Sequence, residues 1–246
     1  MPIRYNALME LLAAGARTLL NLELTTAQLA AFQAYCDLLL AWDEKFNLTA
    51  IRDLDGIQVK HFLDSLTVLR VMPAHQGAPR VVDVGTGAGF PGLPLKIVRP
   101  ELRLTLVEAT GKKVTFCQAV VDALGLKGVT VIKARAEELG QDPAHREKYD
   151  FALARAVAEM PVLAEYLLPF VKPGGRAVAQ KGASAPAEAR AAAGALRRLG
   201  GALDQVIPID LPGIPEPRHL VVLKKISPTV PIHPRRPGVA AKAPLR

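Results

Sequence analysis

The chain has 246 residues, half of them apolar, with 31 Lys and Arg against 23 Asp and Glu and two cysteines. A chain of this length and hydropathy can bury a sizeable core, which excludes a disordered segment or a disulfide-stapled miniprotein and leaves room for one large domain or one domain with an appendage. The formal charge of +8 favours an anionic partner, and its distribution is more telling than its size: Arg218, Lys224, Lys225, Arg235, Arg236, Lys242 and Arg246 follow Glu216 with no further acid. Cys36 and Cys117 sit at apolar positions of helical patterns without metal-ligand spacing, so they read as reduced core thiols and no metal site is expected. No apolar run approaches a membrane span, and the expected location is the cytoplasm.

Taken in order, residues 3–20 predict a moderately amphipathic helix, and a second begins after Thr25, where Thr25 and Gln28 make a capping-box pattern. Leu29, Phe32, Cys36, Leu39 and Leu40 then recur at helical spacing and mark one buried face. The run Asn47-Leu48-Thr49-Ala50-Ile51 leaves that helix, and a further helix is predicted from His61 to Leu69, with His61, Asp64 and Ser65 as its polar residues. A His and an Asp three positions apart are common on ordinary helices, so this pair alone carries no chemistry. Residues 1–72 therefore read as an N-terminal helical extension.

From Arg80 strands and helices alternate, the pattern of an open, mostly parallel sheet covered on both faces. Seven strands are predicted at 81–84, 102–108, 129–134, 150–155, 176–181, 206–209 and 220–224. Helices are predicted at 93–98, 112–124, 160–171 and 186–199, with a polar loop at 141–148. The last two strands have only a Pro- and Gly-rich turn between them, so they should be antiparallel and form the sheet edge. Residues 73–225 make up this α/β domain. Residues 226–246, with five prolines, read as a basic tail either draped on the body or mobile.

The chemistry centres on the loop after the first strand. Val81 to Val84 is too short an apolar run for a helix, and glycines follow at 85, 87, 89 and 92, which is how a buried strand opens into a tight turn beside a cofactor. Two cofactor classes compete for it. Gly87 to Gly92 satisfies the G-x-G-x-x-G dinucleotide pattern, with Glu108 at the end of the next strand to hold ribose hydroxyls. Asp83-Val84-Gly85-Thr86-Gly87-Ala88-Gly89, an acid two residues before Gly-x-Gly-x-Gly, instead resembles the first motif of class I S-adenosylmethionine-dependent methyltransferases. Leu168 to Gly175 resembles the turn before the fifth strand of that Rossmann-like fold, and a dehydrogenase would normally need a second substrate domain. The methyltransferase reading is favoured. An NAD-type oxidoreductase and a non-catalytic RNA-binding protein remain as alternatives.

The combination of Asn47 to Ile51, His61-Phe62-Leu63-Asp64-Ser65-Leu66, Asp83 to Pro94, Val107 to Lys113, Arg135-Ala136-Glu137, Ala154 to Ala158 and Pro234-Arg235-Arg236-Pro237-Gly238 resembles the bacterial small-subunit (16S) rRNA guanine-N7 methyltransferases, the RsmG or glucose-inhibited division protein B family, over nearly the whole chain. The resemblance implies methyl transfer from S-adenosylmethionine to N7 of a guanine in the 530 loop of 16S rRNA, as naked rRNA or within the small ribosomal subunit. It implies cofactor contacts from Gly85, Phe90, Glu108, Ala109, Thr110, Ala136, Glu137 and Arg155. Arg155 is also the candidate catalytic residue, orienting cofactor or guanine. RNA contacts are expected from Lys112, Lys113, Arg197, Arg198, Arg235 and Arg236, and the chain is expected to act as a monomer. His61 and Asp64 belong to a family motif without a derived role. The family's tail usually carries an aromatic where this chain has His233, which bears on how the tail docks.

Overall fold

The computed structural model describes residues 9–72, 77–155 and 157–246. Residues 3–8 of the first predicted helix lie outside them, as does Ala156 in the run after the fourth strand. Helix α1 spans Glu10–Leu20 and α2 spans Thr26–Phe46. The capping box forms: Thr25 Oγ1 accepts from Gln28 N at 3.2 Å, and Gln28 Oε1 accepts from Thr25 N at 2.9 Å. A longer helical segment than predicted, α3, covers 54–71. Asp53 caps it, accepting from Gly56 N at 2.6 Å. Its middle, Ile57–Leu63, is wound as a π-helix, and it tightens to 3₁₀ over Thr67–Val71. Such widened turns recur where a helix must aim side chains into a site.

The sheet has the order β3-β2-β1-β4-β5-β7-β6. Strands β1 (Arg80–Val84), β2 (Arg103–Glu108), β3 (Val129–Lys133), β4 (Tyr149–Arg155) and β5 (Val171–Lys181) are parallel. Strand β7 (Arg218–Lys225) inserts antiparallel between β5 and β6 (Gly201–Ile209), so β6 alone is the edge of the antiparallel pair. An all-parallel dinucleotide fold would have order 3-2-1-4-5-6, so this topology decides against the oxidoreductase reading.

Successive strand residues face opposite sides, and each side has its own core. Val81, Leu104, Leu106, Phe151, Leu153 and Val178 pack with Phe32, Leu39, Phe62 and Leu66 of the N-terminal helices, along with Phe116 of α5 (Gly111–Ala123). Val82, Val84, Ala152 and Ala154 face Met160, Leu163 and Leu167 of α7 (Met160–Leu167), with Ala189 and Leu196 beyond. The remaining helices are α4 (Gly92–Val98), α6 (Ala136–Leu139), α8 (Ala185–Ala191), α9 (Ala193–Arg198) and α10 (Val239–Lys242).

Two expected helices change and one open alternative is decided. The helix predicted at 160–171 ends as α at Leu167; Leu168–Phe170 is a 3₁₀ turn, and Val171 already pairs with Tyr149 before a bulge carries the register to Phe151 with Arg176. The helix predicted at 186–199 breaks at Ala192 into α8 and α9. The tail is draped on the body. Arg146 of the predicted polar loop donates to Thr229 O at 2.6 Å and His233 O at 2.7 Å, and Gln141 donates to Pro234 O at 2.8 Å. Leu245 is buried in the core cluster on the α7 side of the sheet.

Candidate active site

At the C-terminal end of β1 the glycine loop is pinned from below. Asp83 is fully buried, and its Oδ2 accepts from Thr86 Oγ1 at 2.5 Å and Gly92 N at 2.8 Å. Burial pushes its carboxyl up to about 6, against the pull of those two donors and of Arg155. Gly85 has φ +67°, where a side chain is strained, and a Cβ there would lie 2.9 Å from Val157 Cγ2. A Cβ on Gly87, also at positive φ, would meet nothing within 4 Å, so the space above the loop is open. From behind, the Tyr35 hydroxyl of α2 donates to Ala88 O.

That open space is a cavity of about 680 Å³ over the C-terminal ends of the parallel strands, where open α/β sheets bind ligands. One half is lined by Gly85, Glu108, Ala109, Ala136 and Glu137. Glu108 Oε2 accepts from Gly87 N at 3.1 Å and its Oε1 from Thr110 N at 2.8 Å, so the carboxylate lies at the floor of the loop. Glu137 is buried and accepts from Gly238 N of the tail at 3.0 Å. A glycine cradle with no side chain to fill it, a carboxylate at the next strand end and a backbone turn at the third fit the ribose, methionine and adenine parts of S-adenosylmethionine. Thr110, the residue before α5, does not line the cavity; its backbone N–H donates to the Glu108 carboxylate that does. Phe90 is only 5 % exposed. Its ring stacks on Tyr35 at 5.4 Å and on His61 at 4.6 Å, so it serves as wall more than as open contact surface.

The other half is polar and comes from residues far apart in sequence: Thr49, Lys60, His61, Asp64, Gln180, Lys181 and Arg218. Arg155, at the end of β4, ties α3 to the sheet. Its Nη1 donates to Lys60 O at 3.1 Å, His61 O at 3.4 Å and Asp64 Oδ2 at 3.3 Å, and its Nη2 meets His61 Nδ1 at 3.2 Å. The guanidinium carbon lies 4.7 Å from the Phe90 ring centroid. Burial raises the Asp64 carboxyl while Arg155 opposes that shift. Burial, then Arg155, lowers the His61 imidazole to about 3, so it is neutral. The direct catalytic contact expected of Arg155 is thus qualified: one end of the guanidinium is occupied in bracing the cavity wall. The His61 and Asp64 pair, which spacing alone could not interpret, is the partner it braces.

The expected RNA-binding cations separate. Lys113 lines the cavity, and Lys112 is exposed beside it with Nζ on Phe46 O at 2.7 Å. Arg236 is exposed on the tail next to Glu137 and Glu138 of α6. Arg235 does not fit the expectation. Its Nε and Nη2 grip Glu165 at 2.9 and 2.6 Å, and its backbone N adds a bond at 2.8 Å, so it anchors the tail to a fully buried carboxylate. Arg197 and Arg198 are corrected by topology. They end α9 just before Gly201, which pairs with Lys225, whereas the cavity edge is marked by Lys181 pairing with His219 at the other end of β7. Both arginines are exposed on the opposite edge of the sheet.

A family model described as rRNA small subunit methyltransferase G matches residues 28–210. The chain is 49 % identical over 226 residues to Ribosomal RNA small subunit methyltransferase G of Roseiflexus sp. (strain RS-1), covering 92 % of this chain and 95 % of that one. It is 47 % identical over 240 residues to the protein of the same name from Pelotomaculum thermopropionicum, covering 98 % and 100 %. Among solved structures, a SAM dependent methyltransferase from Aquifex aeolicus superposes with a TM-score of 0.52 at 20 % identity over 70 % of this chain and 93 % of that one, a likeness of fold.

Proposed function

The chain belongs to the rRNA small subunit methyltransferase G family, and from that membership we propose that its cavity transfers a methyl group from S-adenosylmethionine to N7 of a guanine in the 530 loop of 16S rRNA. The observation that carries this reading is the division of one cavity into a glycine-and-carboxylate half and a polar half built on α3. When bound, S-adenosylmethionine supplies an electrophilic methyl group on a sulfonium. Gly85 and Gly87 let the backbone approach the cofactor closely, Glu108 holds the ribose hydroxyls, and Ala109, Ala136 and Glu137 border the adenine.

Guanine N7 carries a lone pair and no proton to lose, so the site needs no general base. The neutral His61 and the ion-paired Asp64 agree with that: neither is poised as a free base near neutral pH. What remains for the protein is positioning, which can supply about 7–11 kcal/mol when reacting atoms are held in line. Arg155 does this by locking α3 over the glycine loop and keeping its remaining N–H groups for cofactor or guanine.

Lys113 at the cavity, the exposed Lys112 next to it in sequence and the exposed Arg236 of the tail take RNA phosphates, with the target base extruded into the cavity. The chain works as a monomer in the cytoplasm, on free 16S rRNA or on the small subunit. The test is transfer of tritiated methyl from S-adenosylmethionine to 16S rRNA, free and in 30S particles lacking the modification, with aniline cleavage to map N7-methylguanine. Cleavage at one guanine of the 530 loop supports the reading. Cofactor binding without transfer to either RNA form refutes the substrate.

A further inference from the structure

The hydrogen bonds around Thr49 leave its hydroxyl in an unusual state. Arg155 Nη2 faces His61 Nδ1 at 3.2 Å, and a guanidinium can only donate, so Nδ1 is the acceptor and the imidazole proton sits on Nε2. Nε2 lies 2.7 Å from Thr49 Oγ1 and therefore donates to it. Ile51 N donates to the same oxygen at 3.1 Å. Both lone pairs of Thr49 Oγ1 are then occupied, while its own proton has no acceptor among the described residues. The side chain lines the polar half of the cavity, alongside His61 and Arg155. A hydroxyl normally donates or accepts as its partner demands; this one is set to donate only.

We infer that Thr49 is the residue that selects guanine over adenine, donating its O–H to the purine 6-position oxygen beside the N7 that receives the methyl group. The inference rests on the proposed function and deepens it. Both purines present N7 to a methyl donor, and they differ on the same edge at position 6, where guanine offers an acceptor and adenine an amino donor. A donor-only hydroxyl pairs with the first and faces the second donor to donor, which leaves two buried polar groups unsatisfied. Arg155 and His61 act as positioning residues: they set the tautomer that makes Thr49 a donor.

The test uses the full chain and 16S rRNA ligated around a synthetic 530-loop segment whose target position carries guanine, adenine or 2-aminopurine, which lacks the 6-oxygen. With guanine, Thr49→Val should lose about 10–100-fold in kcat/KM while binding S-adenosylmethionine as the wild type does, and Thr49→Ser should restore most of the rate. Because Thr49→Val also strips an acceptor from His61, the deciding measurement is the cycle between side chain and base. Removing the 6-oxygen should slow the wild type and slow Thr49→Val no further. Independent, multiplying losses would overturn the inference, as would a Thr49→Val enzyme that matches wild type on guanine. If the wild type transfers methyl to none of these RNAs, the function assigned to the cavity fails, a result separate from either.

Discussion

Replacing Arg235 by Ala should destabilise the protein without directly touching a phosphate contact. Glu165 is fully buried and takes four bonds from Arg235, one from its backbone N and three from its guanidinium, together with one from His233 Nδ1 at 3.2 Å. Burial alone would raise its carboxyl; the Arg235 side chain and backbone outweigh that and hold it below the usual range. Removing one partner of a buried pair costs about 3–5 kcal/mol. The Arg235 side chain is 22 % exposed, so water can partly replace it, and the lower end, about 3 kcal/mol, is expected. For a chain of this length that is a drop in Tm of about 6–12 °C. A depressed carboxylate contributes stability above its unfolded pKa of about 4.3 and loses it as pH falls through the lower folded value. The gap between wild type and Arg235→Ala should therefore be full at pH 7 and shrink below about pH 4. Urea unfolding across this range reads it, with the exposed Arg236→Ala as control. An Arg235→Ala protein within about 0.5 kcal/mol of that control at pH 7, or a gap that stays constant into acid, would refute the reasoning.

Gly85→Ala should abolish cofactor binding in calorimetry, since its Cβ would sit 2.9 Å from Val157 at a φ of +67° that costs about 1–2 kcal/mol for a side chain; retained affinity would remove the loop from the site. Asp83, pushed up to about 6, binds its proton more tightly folded than unfolded, so its contribution to stability falls as pH rises from about 4 to 6. Asp83→Asn should lose that slope, on the order of 3 kcal/mol across the window, and parallel denaturation curves for the two proteins would contradict it. Lys113→Ala and Arg236→Ala should each flatten the log–log salt dependence of RNA binding by about 0.7. Arg197→Ala with Arg198→Ala, on the opposite edge, should leave that slope unchanged, and an equal flattening would overturn the placement of the RNA face.

What could be read from the chain was what local pattern and strand-end logic determine. The position of Glu108 was legible because an acid at the end of the second strand lies beside the glycine loop in any open parallel sheet, and Gly87 N donates to it. The antiparallel final strands followed from a turn too short for a crossover helix. Charge counting failed where the partner was distant. Nothing near Arg235 in sequence signals that Glu165, 70 positions earlier, waits buried for it. Arg197 and Arg198 looked equivalent to Lys112 and Lys113 until the strand order placed α9 at the other edge. Tyr35 and Thr49 were missed for the same reason. Their contacts with Ala88 and with the His61–Arg155 pair depend on how α2 and α3 cross the sheet, and the one visible signal was Asn47-Leu48-Thr49, a polar break following a well-formed helix.

The strand order also sets when, during folding, the cavity can exist. Strands β1 and β2 are near neighbours in the chain, and β2 meets β3 shortly after, so that wing can zip up through nearest neighbours. The pairing of Val81 with Phe151 and the bonds from Arg155 to Lys60 and His61 must instead close loops of 70 and about 95 residues, and such long-range closure is slow because its entropy is lost before its contacts reward it. Cofactor affinity should thus lag behind bulk helix signal in refolding. A chain stalled before β4 docks would expose the apolar sides of β1 and α3 together, making the half-built pocket the segment most in need of a chaperone.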